Sequence, residues 1–234
     1  MPSLLRRSLA EALGTFALVF IGTGAVAAKY YPDANYGLFG IATAHGLVLA
    51  VMVTATMSIS GGHLNPAVTL GLLITRHTNL RTALAYIPAQ LVGAVLGSLL
   101  LKVVFPVGVT RPISLGTPTI GVNIQLTQAI AMEAVLTFLL VSAVFGTCVN
   151  SQAPKVGGFA IGLVLLADIL VGGPTTGAAV NPARAFGPAL VSGHWVGHAA
   201  YWIGPIIGGV LAALIWEYGL LTRPPEHRRR QTDR

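Results

Sequence analysis

The chain has 234 residues, 54% of them hydrophobic and only 9% charged, with a net charge of +7 and one cysteine. A soluble domain of this size carries about 25% charged residues, so the composition excludes an ordinary soluble globule and points to one polytopic membrane domain. The lone Cys148 excludes an internal disulfide and a thiolate metal cluster, and the basic residues lack the interleaved aromatics of a nucleic-acid surface, so no nucleic-acid partner is expected.

The N-terminal stretch begins basic and turns apolar, as a signal peptide does, but its apolar run is long enough to cross a bilayer. It is the first of six predicted spans, at roughly 8–28, 38–59, 83–105, 126–147, 156–172 and 199–221. Span one carries Glu11 and span two His45, and SGGHLNPAVTL (60–70) follows, with His63 just before Asn65, Pro66 and Ala67. Span four carries Glu133, and span five carries Asp168 and Ile169. GAAVNPARAFG (177–187) then sets Ala178 before Asn181, Pro182, Ala183 and Arg184. An even number of spans puts both termini on one side. Arg6, Arg7, Arg76, Arg81, Lys155 and the arginines of the basic tail 222–234 share that side, against Lys29, Lys102 and Arg111 on the other. The bias makes the termini cytoplasmic, with the tail touching anionic lipid. Small residues four apart (Gly93/Gly97, Gly158/Gly162, Gly204/Gly208/Ala212) predict close helix contacts in the bilayer.

The chain also repeats itself. Gly61, Asn65, Pro66, Ala67 and Gly71 fall on Gly177, Asn181, Pro182, Ala183 and Gly187, and AEALGTF (10–16) falls on MEAVLTF (132–138), which matches Glu11 to Glu133. VGAVLG (92–97) is laid on GGVLAA (208–213) in the same register as the NPA stretches. Each half, about 5–105 and about 126–221, holds three spans, so the halves lie in opposite orientations: an inverted repeat within a single channel domain.

Proline is favoured at the first position of a helix and Asn is a favoured cap, so each Asn-Pro starts a helix. Asn65 to about Thr75 makes about 16 Å of helix, half of a ~30 Å hydrocarbon core, and Asn181 to about Ser192 makes another half. Inverted symmetry brings the two N-termini together at the midplane. The loops leading in supply carbonyls tolerated there only where they are buried in protein or line a wet cavity. Each Asn oxygen caps its own helix and its NH2 is expected to donate to a passing molecule, while two helix N-termini repel cations and protons. Glu11 and Glu133 are expected to accept hydrogen bonds from the re-entrant loop of their own half. His63 either lines a vestibule or bonds loop backbone, and Asp168 has no counterpart that assigns it a role.

These motifs resemble the aquaporin (major intrinsic protein) family over about residues 5–221. The resemblance implies an all-α membrane fold of six transmembrane helices plus two re-entrant half-helices, a pore in each monomer and a homotetramer. It also implies a selectivity filter of His45, Ile169, Ala178 and Arg184. Strict water channels of the family carry Phe where His45 stands and His where Ile169 stands, so this filter is similar to that of plant tonoplast intrinsic proteins. Ala185 and Ala189 replace the Asp and basic residue of the glycerol facilitators, which is the water-channel pattern. The expected function is a passive channel for water, with ammonia, glycerol or other small neutral solutes as further candidates, excluding protons and ions. A broader glycerol, urea or ammonia facilitator and a secondary transporter built on the same repeat are the alternatives. No metal-ligand spacing, nucleophile elbow or phosphate loop is present, so no enzyme, metal or cofactor is expected. The short termini and missing sorting signals lead to an expected plasma-membrane location.

Overall fold

A computed structural model describes residues 2–221; the basic tail 222–234 lies outside them. In chain order the helices are α1 (Leu4–Ala28), α2 (Gly37–Met57), α3 (Pro66–Ile74), α4 (Leu80–Val104), the short α5 (Val107–Thr110), α6 (Leu126–Val144), α7 (Phe159–Thr176), α8 (Pro182–Ser192) and α9 (Ala200–Ile215). One wide helical turn extends α6 over Phe145–Val149 and another extends α9 over Trp216–Leu220. Six of the helices are long and apolar enough to span a membrane, and α3 and α8 are the two half-helices.

Most bounds follow from local chemistry. Asn79 Oδ1 accepts from the Thr82 amide at 2.9 Å, so α4 starts three residues before the apolar run that predicted it. The fifth span begins later than predicted and runs past Gly-Gly-Pro to Thr176. A left-handed Gly177 (φ 84°) ends it, donating its amide to Gly172 and Gly173. Pro174 sits in that last turn, and Thr176 is tied down by Glu133.

The long helices pack through the predicted small residues. A Cβ on Gly93 would lie 2.1 Å from the Ala12 carbonyl oxygen, and one on Gly208 would lie 1.9 Å from that of Ala134. Gly97 meets the Phe16 carbonyl, and Gly204 that of Ile130. At the centre Gly162 of α7 faces Gly46 of α2, backbone to backbone. The α1–α4 pair in one half and the α6–α9 pair in the other are therefore the same contact made twice.

That equivalence corrects the predicted register of the repeat. Glu11 corresponds to Glu133, so Ala12 corresponds to Ala134, and Gly93 must correspond to Gly208 rather than Gly209. Gly209 is instead the partner of Ala94: a Cβ on Gly71 of the first half-helix meets Gly209, and one on Gly187 of the second meets Ala94. The connection between half-helix and last span is one residue shorter in the second half, and the common register of the NPA stretches hides this.

Candidate functional site: the lumen between two re-entrant loops

Residues 60–64 and 176–180 lead into the half-helices with a matching run of left-handed residues: Gly61 (φ 95°), Gly62 (63°) and Leu64 (49°) in one, Gly177 (84°), Ala178 (43°) and Val180 (44°) in the other. Leu64, Ala178 and Val180 carry side chains, and such backbone persists only where its surroundings over-determine it. They do so here. Glu11 Oε1 accepts from Ser60 Oγ (2.6 Å) and the His63 amide (3.0 Å), and Oε2 from the Leu64 amide (2.6 Å) and Gln90 Nε2 (2.8 Å). Glu133 Oε1 accepts from Thr176 Oγ1 (2.7 Å) and the Ala179 amide (2.9 Å), and Oε2 from the Val180 amide (2.7 Å). Tyr86 donates its hydroxyl to the Ser60 carbonyl at 2.7 Å, as Tyr201 does to that of Thr176 at 2.9 Å. Both acids are fully buried.

The half-helices meet at their first residues. Asn65 Oδ1 accepts from the Ala67 amide at 2.8 Å, and Asn181 Oδ1 accepts from the amides of Ala183 (3.0 Å) and Arg184 (3.2 Å). Pro66 and Pro182 hold the first helical positions, where no amide hydrogen is needed. The side-chain NH2 groups are not wholly free, contrary to the sequence expectation. Asn65 Nδ2 donates to the Val180 carbonyl at 2.9 Å, and Asn181 Nδ2 to that of Leu64 at 2.8 Å. The bulge that presents each carbonyl is the left-handed residue before the opposite Asn. One N–H of each amide is thus spent on the cross-tie and one remains. The carbonyls of residues 61–63 and 177–179 accept no hydrogen bond among the described residues.

A lumen runs past these groups. Its polar strip is built from Gly62, His63, Asn65, Ala178, Ala179 and Asn181, and its facing wall is aliphatic, including Leu49, Val53, Leu140, Val144 and Leu165. It admits the centre of a water-sized sphere over only about 20 Å³, on the order of one water's worth. A wider vestibule of about 480 Å³ opens beyond it, and His45 and Arg184 border both spaces. Ile169 lies on the vestibule side of that border and Ala178 on the lumen side. The four predicted filter residues therefore surround one neck.

The neck is rigidly wired. His45 Nδ1 lies 2.9 Å from the Ile41 carbonyl, and its Nε2 lies 3.4 Å from Arg184 Nη2. A carbonyl demands a donor and a guanidinium demands an acceptor, so His45 is the neutral Nδ1–H tautomer with its lone pair turned to Arg184. Arg184 Nη1 donates to the Gly116 carbonyl at 3.2 Å. Gly22 of α1 makes room for the imidazole, since a Cβ there would lie 2.4 Å from His45 Cδ2.

The remaining candidates separate from the neck. His63 borders the lumen; its Nδ1 bonds the Thr69 hydroxyl at 3.1 Å rather than loop backbone, and its amide goes to Glu11. Asp168 is buried, and its Oδ2 has no hydrogen-bond partner among the described residues. His194 lines the vestibule. His198 accepts from Trp202 Nε1 at 3.1 Å and packs edge-on against Trp195, and burial lowers its pKa. Gly22, Tyr86, Gln90 and Gly116 were not singled out from the sequence. Tyr86 and Tyr201 do fall on each other once the repeat is read in the register that pairs Gly93 with Gly208, so that signal was present. Gly22 and Gly116 act through backbone and space and leave no pattern to read.

A family model described as "Major intrinsic protein" matches residues 1–216, and the chain belongs to this family of aquaporin channels. It is 42% identical over 242 residues to the probable aquaporin TIP3-2 of Arabidopsis thaliana, covering 97% of this chain and 89% of the relative. It is 44% identical over 220 residues to aquaporin TIP4-4 of Zea mays, covering 91% and 85%. Its fold matches the aquaglyceroporin from Plasmodium falciparum with a TM-score of 0.78 at 24% identity, over 93% of this chain and 97% of the other.

Proposed function

We infer that this chain is a passive transmembrane channel for water and small neutral solutes that excludes ions and protons, working as a single channel unit in its two inverted halves. The observation that carries the reading is the narrow lumen crossing the reciprocal Asn65–Val180 and Asn181–Leu64 ties. A permeating water meets one spare N–H from each Asn and a row of loop carbonyls, against a wall that offers no hydrogen bond. The two half-helix N-termini, each worth roughly half a positive charge, raise the energy of a cation at that point. Arg184 adds a full charge at the neck. A secondary transporter needs intramembrane carboxylates that a substrate or ion can reach. Glu11 and Glu133 are instead engaged by loop donors, and Asp168 is buried and lines neither the lumen nor the vestibule. Stopped-flow light scattering of proteoliposomes tests the reading: water flux should be unsaturable with a low activation energy and indifferent to an ion gradient. Saturation, or coupling to a gradient, would overturn it.

The solute range follows from the neck. An aliphatic Ile169 and a small Ala178 face His45 and Arg184, which makes the neck more amphipathic than one built from Phe and His. The proposed range is water and ammonia first, with glycerol or urea as further candidates. The double change His45→Phe with Ile169→His should abolish flux of the larger solutes and keep water flux. Equal ammonia and glycerol flux in both proteins, with water intact, would show that these residues are not the filter.

The assembly proposed from the family resemblance is a homotetramer, checked by native mass spectrometry of the detergent-purified protein. The protein is an integral multi-pass membrane protein with both termini proposed as cytoplasmic. The plasma-membrane expectation finds no support in the TIP-type relatives, and fractionation of the native membranes decides which membrane it occupies.

A further inference from the structure

On the side of the membrane away from the termini, a second cavity of about 340 Å³ lies apart from the lumen, between the end of α4, α5, the loop that follows and the last turn of α8. Lys102 in the last turn of α4 and Arg111 just after α5 both line it, and Thr110 and Ser114 add hydroxyls. Its apolar lining includes Val107 and Leu115. No acidic residue lines it, and neither cation makes an ion pair or side-chain hydrogen bond among the described residues. Two uncompensated cations lining one pocket, with the Ser114 hydroxyl beside them while Thr110 gives its own to the Pro106 carbonyl, are suited to a phosphate ester.

We propose that this pocket holds the phosphodiester headgroup of an anionic phospholipid and thereby braces the loop that positions Arg184. The location selects lipid over free phosphate. The pocket sits at the end of a span, and the rim beside it is apolar and open: Val103 is 80% exposed, Val104 52% and Val107 72%. A glycerol backbone and acyl chain continue onto that rim, whereas a free anion has no use for it. The loop itself needs bracing. Ser114 (φ 48°), Leu115 (56°) and Gly116 (69°) are three successive left-handed residues, two of them carrying side chains. Ser114 and Leu115 face the pocket, and the Gly116 carbonyl one residue further holds the Arg184 guanidinium. A headgroup gripped by Arg111 and Ser114 therefore acts on the neck through one short, strained segment.

The test uses the full chain in neutral detergent, titrated with dihexanoyl phosphatidylglycerol, dihexanoyl phosphatidylcholine or inorganic phosphate while thermal unfolding is followed. Phosphatidylglycerol should raise the unfolding temperature, and the other two should not at equal concentration. In Lys102→Gln/Arg111→Gln its half-saturating concentration should rise roughly fivefold per lost cation; Lys155→Gln, on the opposite face, should leave it unchanged. Hydrogen exchange of residues 107–117 should slow on adding phosphatidylglycerol to the wild type. An equal response in wild type and double variant, or to phosphatidylcholine, overturns the site. An inorganic phosphate response matching that to phosphatidylglycerol overturns the lipid source. A thermal shift with unchanged exchange in 107–117 overturns the bracing of the loop.

Discussion

At the residue scale, Asn65 and Asn181 each do two jobs with one amide. The oxygen ends its own helix and one N–H closes the opposite loop, which leaves a single donor for the lumen. An Asp at position 181 would keep the cap, lose the cross-tie and the donor, and put a negative charge beside two helix N-termini. Combined with Arg184→Val, it removes one positive charge from the path and adds a negative one. The double variant should conduct cations, read as inward current in planar bilayers or as dissipation of a potassium gradient in vesicles. A correctly folded double variant that stays ion-tight would refute the electrostatic account of exclusion. Gly22 supplies a second check. Adding one methyl drives into His45 Cδ2, so Gly22→Ala should displace the imidazole from Arg184 and lower water flux with the protein still folded.

At the element scale, the loops are held by acids on the long helices rather than by their own hydrogen bonds. Glu11 takes four donors and Glu133 three, because Gln90 has no equivalent in the second half, where Pro205 occupies the matching position. Replacing either acid by Ala orphans buried donors at about 1–3 kcal/mol each. Glu11→Ala and Glu133→Ala should therefore lower the unfolding temperature and the yield of folded protein without changing which solutes pass. A changed solute preference at normal stability would place these acids in the pathway instead. The helix pairs make a sharper prediction about register. Gly93→Ala and Gly208→Ala should be comparably damaging, each driving its Cβ into a carbonyl, whereas the Cβ of Gly209→Ala has the Ala67 carbonyl as its nearest neighbour at 3.1 Å and should cost less. Thermal unfolding of the three variants ranks them. Both Asn-Pro signals, the six spans and the acid pair were legible in the sequence because each rests on residue type at fixed spacing. The one-residue offset after the second half-helix was not, since Gly208 and Gly209 are adjacent and only the partner carbonyl distinguishes them. The cross-tie was illegible for a similar reason: its acceptors are backbone atoms of Leu64 and Val180, whose side chains announce nothing.

At the scale of the whole molecule, the two halves are equal in plan and unequal in charge. Val68 faces the lumen in the first half-helix where Arg184 stands in the second, so the full positive charge belongs to one mouth. The halves also complete one another, and this has a consequence in time. Beside a longer 3.3 Å hydrogen bond from Thr15 Oγ1, the Leu64 carbonyl takes its shorter one, 2.8 Å, from an amide 117 positions later in the chain. At ~5–20 residues per second, the ribosome needs on the order of ten seconds to deliver it. Throughout that interval the first re-entrant loop has its Glu11 anchor and no roof. A nascent chain stalled near residue 125 should therefore leave position 67, which lies against Gly209 of α9 in the finished fold, open to a thiol reagent, tested with Ala67→Cys in a Cys148→Ser background. A chain stalled only after the whole of α9 has left the ribosome should protect it. Equal protection at both lengths would mean that the first half seals itself. If protection comes late, the order of synthesis governs when the membrane becomes permeable: a chain that ends before the second half has no pathway, because the walls from α6 and α7 and the loop with Asn181 and Arg184 are made after it.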